Sequence, residues 1–512
     1  MPRNFLSCDR DQELLLPPSL RDWLPEDHFA WFLLDSVEEL ELSAFYGAYR
    51  ADGHGRAAYE PSMMVALVLY AYATNERSAR AIERHCRDDV AYRVITANVV
   101  PDHATIARFL CRHEAPLADL FGSVLRLCAR AGLVESRVIA IDGTKMLANA
   151  NRDRNVDYDR IAREILAEAK ATDEAEDELY GEKRGDELPE ELATAEGRRA
   201  WLKRELARQR AEDSDSDASG GEVAQGAHEF DAEQIVARTQ GREGWWREAK
   251  HQLERDRWAS ATPVPRARGE RLLEAGLRLE DELAAKRRGN DAYEHYRKTG
   301  RMKNGRRFGP QPNPYQPPDS PEGEVNLTDP DSRLMKGFRS YIQGYNAQAA
   351  VNEHRIAVAA EITVETGDFS HLAPMVTATL RELDQAGVSA KPQVALADAG
   401  FWNEQHMDQV TGEHGIEVLI PPDSGKRDTP RPGWAGGRYA WMRSVLATER
   451  GELLYRKRKQ TIEPLFGHTK HNRGFERFHR RGRAAVRTEW RLILMTHNLT
   501  KLHSHQMAAV GA

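Results

Sequence analysis

The chain has 512 residues, of which 40% are hydrophobic and 30% charged, and a formal net charge of −7. That length suits about two to four domains with a sizeable buried core. There is no apolar run of about 18 residues and no charged-then-apolar amino terminus, so membrane spanning and secretion are not expected. Cys8, Cys86, Cys111 and Cys128 are scattered without a Cys-x-x-Cys pair, which argues against a zinc site or a disulfide framework and fits a reducing cytoplasm. The charge is distributed unevenly: Arg456 to Arg491 carries 12 Lys/Arg against 3 Asp/Glu, whereas Glu168 to Glu222 is strongly acidic. A basic working face and a separately solvated acidic segment follow.

In chain order, residues 1–135 read as a helical domain. Pro61 opens a segment whose Met64, Leu67, Val68 and Ala71 recur at helical spacing. A second helix is expected from about Ser78 through Ile82 to Cys86, and Asp102 is placed to cap a third. That third helix carries Thr105, Arg108 and Arg112. Either it enters a DNA major groove as part of a helix-turn-helix, or the helices form a small bundle packed on the next domain.

Residues 136–152 hold a first strand, and 153–325 read as a charged helical insertion. Its candidate helices are Asp159–Lys170, Gly197–Arg210 and Gly269–Lys286, broken by the solvated run Asp213–Gly221. Trp245-Trp246 belongs to the packing of this insertion or stacks on a base. Gly309–Pro321, with six prolines, reads as an extended connector. Over residues 326–506 strand signals return. Tyr341–Val351 and Ile356–Val364 form a hairpin across Asn352-Glu353-His354-Arg355. A helix over Leu372–Ala386, a strand ending at Asp398, a helix from Asn403 and a strand Glu417–Ile420 follow. Helices around Glu463 and from Arg487 to Leu502 close the chain. The fold expected is α/β: an RNase H-like mixed sheet flanked by helices, interrupted after its first strand by the insertion and preceded by the helical domain.

Three acidic residues suit one chemistry. Asp142 ends the aliphatic run Val138-Ile139-Ala140-Ile141, Asp398 ends Val394-Ala395-Leu396-Ala397, and Glu463 lies in the most basic part of the chain. Two strand-end aspartates and a helical glutamate can converge at one sheet edge and hold two divalent ions about 3.5–4 Å apart for in-line attack on a phosphodiester. Carboxylate oxygens suit hard cations, so two Mg²⁺ ions are the expected cofactor, with Mn²⁺ able to substitute. Asp142 would bridge both ions, and Asp398 and Glu463 would each complete one coordination sphere. Lys470 lies seven residues after Glu463, about two turns along one helical face, where it can hold a DNA phosphate. Arg473, Arg477, Arg480, Arg481 and Arg483 are expected on the DNA backbone. His468, His471 and His479 fit surface or stacking roles. Asn346 and Gln348, on a strand near the site, have no role beyond sheet polarity.

Around Glu463 the chain resembles bacterial insertion-sequence transposases of the DDE class that carry a Tyr-x2-Arg-x3-Glu-x6-Lys signature. Glu463 and Lys470 match it. The Arg position holds Lys459, which keeps charge but loses the planar fork, and the Tyr position holds Arg456, with Tyr455 one place off. The segments Leu14–Leu20, Trp23–His28, Pro101-Asp102-His103, Thr328–Ser332, Gly344-Tyr345-Asn346-Ala347-Gln348 and Phe466–Phe475 are also similar to such proteins. The resemblance implies catalytic, metal-binding Asp142, Asp398 and Glu463. It also points to DNA contacts from Lys459 and Lys470, beside those expected of Arg473, Arg477, Arg480 and Arg481 in the basic run and of Thr105 and Arg108 on the third helix. Its partners would be double-stranded DNA, both transposon terminal inverted repeats and target. A homodimer or higher assembly on DNA and a nucleoid-associated location go with it. The reaction implied is nicking at a transposon end, then attack of the freed 3′-hydroxyl on target DNA. A non-catalytic DNA-binding descendant and a nuclease on the same core are the alternatives.

Overall fold

Strand β1 (Val138–Leu147) carries the architecture of the computed structural model, and its two edges are used unequally. Along one edge it pairs antiparallel with β5 (Tyr341–Asn352) from Ile139↔Asn352 to Leu147↔Gly344. Along the other it pairs in parallel with β7 (Val394–Leu396) only from Val138↔Val394 to Ala140↔Leu396. β7 continues in parallel to β8 (Glu417–Leu419). The outer edge of β5 takes β4 (Arg333–Lys336) near its start and β6 (Ala357–Thr363) beyond it, both antiparallel. The order β6-β5-β1-β7-β8, antiparallel on one side of β1 and parallel on the other, is that of the expected RNase H-like core. β2 (Asn155–Asp157) and β3 (Glu324–Asn326) form a separate two-stranded ribbon.

The structure describes residues 19–49, 58–134, 137–157, 323–337, 340–423 and 434–510, with isolated residues between 160 and 300. The chain divides into two compact units, residues 1–158 with 274–512, and residues 159–273. Trp245-Trp246, Gly309–Pro321, the run Asp213–Gly221 and nearly all of the insertion's candidate helices lie outside the described residues.

Among the described residues, seven helices come before the sheet: α1 (Phe29–Glu38), α2 (Ser43–Tyr46), α3 (Pro61–Ala73), α4 (Ala79–Asp88), α5 (Val90–Ile95), α6 (His103–Arg112) and α7 (Glu114–Arg130). Local chemistry sets their starts. Pro61 sits in the first turn of α3, where its missing N–H costs nothing. The Ser78 hydroxyl accepts from Ala81 N, and the Asp102 carboxylate accepts from Thr105 N. α3 is apolar around its whole circumference, and Met64 through Tyr72 are all buried. Such a helix must be surrounded, and α1, α5 and the last helix of the chain surround it.

After β6 come α8 (Leu372–Gln385), α9 (Glu404–His414), α10 (Gly437–Leu446), α11 (Glu449–Gly467) and α12 (Arg483–Val510). α8 and α12 cover β6, α11 packs on β1 and β5, and α12 also runs against α7 and α3. The amino-terminal helices and the sheet therefore share one hydrophobic core. Where β6 shifts register against β5, between Ala350 and Val351, the Asn498 side chain both accepts from Ala357 N and donates to Ala357 O. One amide replaces the missing strand partner.

The helices are also clasped by buried arginines. Arg491 forms a bidentate pair with Glu382, both contacts 2.9 Å, donates to Ala118 O and stands over the Phe121 ring at 4.8 Å. One guanidinium thus joins α12, α8 and α7. Arg473, expected on DNA, is buried instead. Its N–H groups go to Asn75, Tyr72 O, Ile493 O and Thr496, and it shares the Phe475 ring with Arg77. Arg480 is likewise turned inward, onto Glu114 and Leu110 O. A basic run can point into the protein when carbonyls and carboxylates are waiting there.

Removing one partner of a buried ion pair strands the other charge. Glu382→Gln is expected to lower stability by about 3–5 kcal/mol, and the double replacement Glu382→Gln with Arg491→Met to lose less. Denaturant midpoints check both; equal losses would mean that the pair is not coupled.

Candidate active site

Asp142 sits mid-strand rather than at a strand end. β1 continues five residues past it to Leu147, but the parallel pairing with β7 has stopped two residues earlier, at Ala140. Asp142 therefore keeps Ala349 as its neighbour on one side and has an open notch on the other. Asp398 follows β7 by two residues and lies beside that notch, where its Oδ1 accepts from Gly400 N at 2.8 Å and caps a single turn, Ala399–Phe401. Asp142 Oδ1 accepts from Gly143 N at 2.8 Å, and Oδ2 accepts from Arg458 Nη1, also at 2.8 Å.

The electrostatics fit a pair of carboxylates waiting for positive charge. Burial, reinforced by the charge of Asp398, pushes Asp142 up to about 6, against the pull of Arg458 and the Gly143 N–H. Burial works against the charge of Arg458, but Asp142, Tyr455 and Asp398 more than offset it and its pKa rises. Burial also raises the Tyr455 phenol, opposed by Arg458 and reinforced by both aspartates. Tyr455, Arg458, Asp142 and Asp398 are thus one electrostatic group. The strict signature spacing puts Lys459 in the arginine place, yet on α11 it is Arg458 that reaches Asp142, with Tyr455 one turn before it. Lys459 is exposed.

Glu463 lies on the same helix, about one and a half turns past Arg458, on its exposed side. Among the described residues no group of three or more His, Cys, Asp or Glu side chains is close enough to hold a metal ion. The two aspartates are near enough for the charge of one to raise the pKa of the other, and the glutamate does not join them in one cluster. α11 runs through Pro464 to Gly467 and passes into a wide π turn, His468–Asn472. Lys470 belongs to that turn rather than to a continuous two-turn helical face. Its ammonium, with its pKa lowered by burial, donates to Lys145 O at 2.8 Å, three residues along β1 from Asp142. Such insertions into helices often mark functional sites.

On the opposite face of β1, Gly143 faces a second polar group that sequence reasoning missed. Asp368, from the loop between β6 and α8, accepts from Asn346 Nδ2 at 2.8 Å and from Gln348 Nε2 at 2.7 Å. A Cβ at Gly400 would lie 3.0 Å from Asp398 Oδ1 and 3.6 Å from Asp368 Oδ2, so these two carboxylates flank one glycine. Asn346 and Gln348 hold Asp368 there. The signal was the pair of amides two residues apart on β5, which share a face, but nothing in the sequence marked Asp368 as their partner.

Elsewhere, Arg477 and Arg481 are exposed and each donates to the backbone just after β1, at Ala148 O and Asn149 O. On α6 Thr105 is half-buried and Arg108 exposed; Thr105 bonds to Asp102, and Arg108 donates to Thr105. A Cβ on Gly143 would come within 2.2 Å of Gln348 Nε2 and 2.7 Å of Asp368 Oδ1. Gly143→Ala is therefore expected to cost about 1–3 kcal/mol by overpacking. Adding Gln348→Ala, which vacates part of the space, should recover some of it; the two denaturant midpoints test this.

Residues 324–499, from β3 into α12, match the family described as Transposase DDE domain. Residues 18–112, covering α1 to α6, match the one described as Transposase domain (DUF772). Asp142 falls between the two matched segments, and Asp398, Glu463 and Lys470 fall within the DDE segment. No curated protein and no solved structure matches the chain. Among the described residues no helix is long and apolar enough to cross a membrane. On its two matched segments and its RNase H-like sheet, the chain belongs to the DDE transposases of insertion sequences.

Proposed function

We propose that this transposase cuts the ends of its element and joins the freed 3′-hydroxyls to target DNA at Asp142, Asp398 and Glu463. The observation that carries the reading is the pairing of Asp142 and Asp398 in the notch where β7 stops, with the charge of one raising the pKa of the other.

The donor set fits a hard divalent cation, Mg²⁺ or Mn²⁺. Two carboxylates crowded together are stabilised by positive charge between them, and each Asp142 oxygen, with one hydrogen bond made, keeps lone-pair capacity. Two ions held by Asp142 and Asp398, with Glu463 on the flank, would neutralise charge on the attacking and leaving oxygens. The chain's own groups do the positioning. Arg458 fixes the orientation of Asp142 from one side, and the Gly143 N–H fixes it from the other. Lys470 spends one of its N–H donors on Lys145 O and has two to offer a DNA phosphate. Lys459, Arg477 and Arg481 add exposed positive charge for the backbone, and Thr105 and Arg108 on α6 reach for a groove. In this reading residues 1–135 bind DNA, 136–152 and 326–506 make the catalytic core, and 153–325 is its insertion. Pairing two ends calls for at least a dimer on DNA.

The test is joining of a labelled duplex that carries the element's genomic end, with Mg²⁺ present. Wild type is expected to join it, and Asp142→Ala, Asp398→Ala and Glu463→Ala to lose joining. Salt-sensitive binding without cutting by wild type would favour a binding protein, and cutting without joining a nuclease. A pH dependence follows as well. A carboxyl raised to about 6 from its usual 3.8 favours the metal-free fold most below about pH 4, by about 3 kcal/mol, and that gain is gone above pH 6. Metal needs the deprotonated form. The melting-temperature rise on adding Mg²⁺ should therefore be full at pH 7.5, shrink below pH 6 and nearly vanish in Asp142→Asn. A rise independent of pH between 5 and 8 would contradict this.

A further inference from the structure

β1 does not end at the reacting centre. It runs on to Leu147, and at about 3.3 Å per residue its last residue stands roughly 16 Å from Asp142. At that point the surface opens into a groove of about 720 Å³. Arg152, Arg154, Arg477, Arg481 and Tyr341 line it, and among the described residues no carboxylate side chain does.

The four arginines fall into two kinds. Arg477 and Arg481 are anchored on the carbonyls of Ala148 and Asn149, so their guanidinium planes are fixed with donors to spare. Arg152 and Arg154 stand on a single helical turn capped by the Asn151 side chain. Both are exposed, and neither guanidinium has a hydrogen bond or ion pair among the described residues. A cluster of four like charges carries a repulsive cost, and among the described residues no carboxylate lines the groove to relieve it. Opposite them Tyr341, 55% exposed, offers an aromatic face to the solvent. Planar guanidinium forks recognise phosphate oxygens, and an open aromatic ring takes sugar or base contacts.

We propose that this groove holds the phosphodiester backbone of the DNA whose scissile bond lies at Asp142 and Asp398, about five nucleotides from that bond at 3.4 Å per nucleotide. Three observations choose DNA over a small anion. The groove, at about 720 Å³, is far larger than one phosphate, its charges are spread over two chain segments, and it lies along β1 beyond Asp142 and the Lys145 carbonyl that Lys470 meets. β1 thus acts as a ruler between the reacting centre and a remote phosphate clamp. The inference rests on the reading of Asp142 and Asp398 as that centre.

The experiment measures binding of the same genomic-end duplex by fluorescence anisotropy across a salt series. It also maps phosphates whose ethylation interferes with binding. The proteins are wild type, Arg152→Ala/Arg154→Ala, Tyr341→Ala and Asp142→Asn, all full length. Wild type should show interference about five nucleotides from the joined end. The arginine double variant should lose that signal and reduce the slope of log K against log salt by about 2. Tyr341→Ala should weaken binding about tenfold with the slope unchanged. Asp142→Asn should keep both the signal and the slope. An unchanged slope and pattern in the double variant overturns the groove while leaving the transposase reading intact. Absence of salt-dependent binding by wild type overturns both.

Discussion

The parallel pairing between β1 and β7 lasts three residues, while the antiparallel pairing of β1 with β5 lasts nine. A strand held on both edges and then on one alone leaves a step in the sheet, and backbone groups at such a step need partners other than the missing strand. Here side chains supply them. Asp142 and Asp398 cap the backbone around the step through Gly143 N and Gly400 N. The carboxylates thereby lie at the step, near enough for the charge of Asp398 to raise the pKa of Asp142. Their mutual repulsion is partly met by Arg458, and the remainder is what a cation would relieve. An added residue in β7 pairing would close the notch.

Arginine does three separate jobs in the basic segment, and environment alone decides among them. Arg458 meets a carboxylate of the site, Arg473 and Arg491 fill the interior between helices, and Arg477 and Arg481 lie on the surface beside β1. Burying a guanidinium is costly unless nearly every donor is used. Arg473 meets that condition with four acceptors and Arg491 with a bidentate carboxylate and a carbonyl. Charge count along the chain therefore overstates the surface available to DNA. The exposed part is smaller, and it includes Lys459 on α11 and Arg477 and Arg481 beside the end of β1.

Much of the fold was legible because its signals are local. Asp102 caps the helix it was expected to cap, and Ser78 and Asn403 cap the helices expected to start near them. The hairpin of β5 and β6 turns at Asn352–Arg355 with the Asn352 side chain accepting from His354 N and Ile356 N. The two aspartates were recognisable because each ends an aliphatic run. What was not legible depends on contacts distant in sequence. Counting back from Glu463 cannot decide between Lys459 and Arg458, because one residue rotates the side chain by about 100° around the helix. Only the packing of α11 on β1 settles it. The first strand was expected over 136–152, but the place of Asp142 inside β1 rather than at a strand end was hidden, because Gly143, Thr144 and Lys145 interrupt the aliphatic pattern while β5 still pairs with them. Asp368 was hidden because its partners, Asn346 and Gln348, lie 22 and 20 residues away.

The amino-terminal helices and the surface at the end of β1 are mounted on one buried group. Glu489, fully buried on α12, accepts from Arg77 at 3.0 Å and from the backbone N–H groups of His479 and Arg480. Arg77, which lies between α3 and α4, also donates to Arg477 O at 2.6 Å. One carboxylate thus fixes both the loop that carries Arg477 and Arg481 and the turn that leads into α4, against which α6 packs. A charge at 0% exposure is tolerated because it receives three donors, and those donors come from the two parts of the chain that would have to address one DNA together. Rotation of α6 relative to β1 would break that network, so under the proposed function a DNA contact on α6 and one at the groove would be held at a fixed separation. Spacing between a read sequence and a cut bond would then be a property of the core itself rather than of a flexible linker.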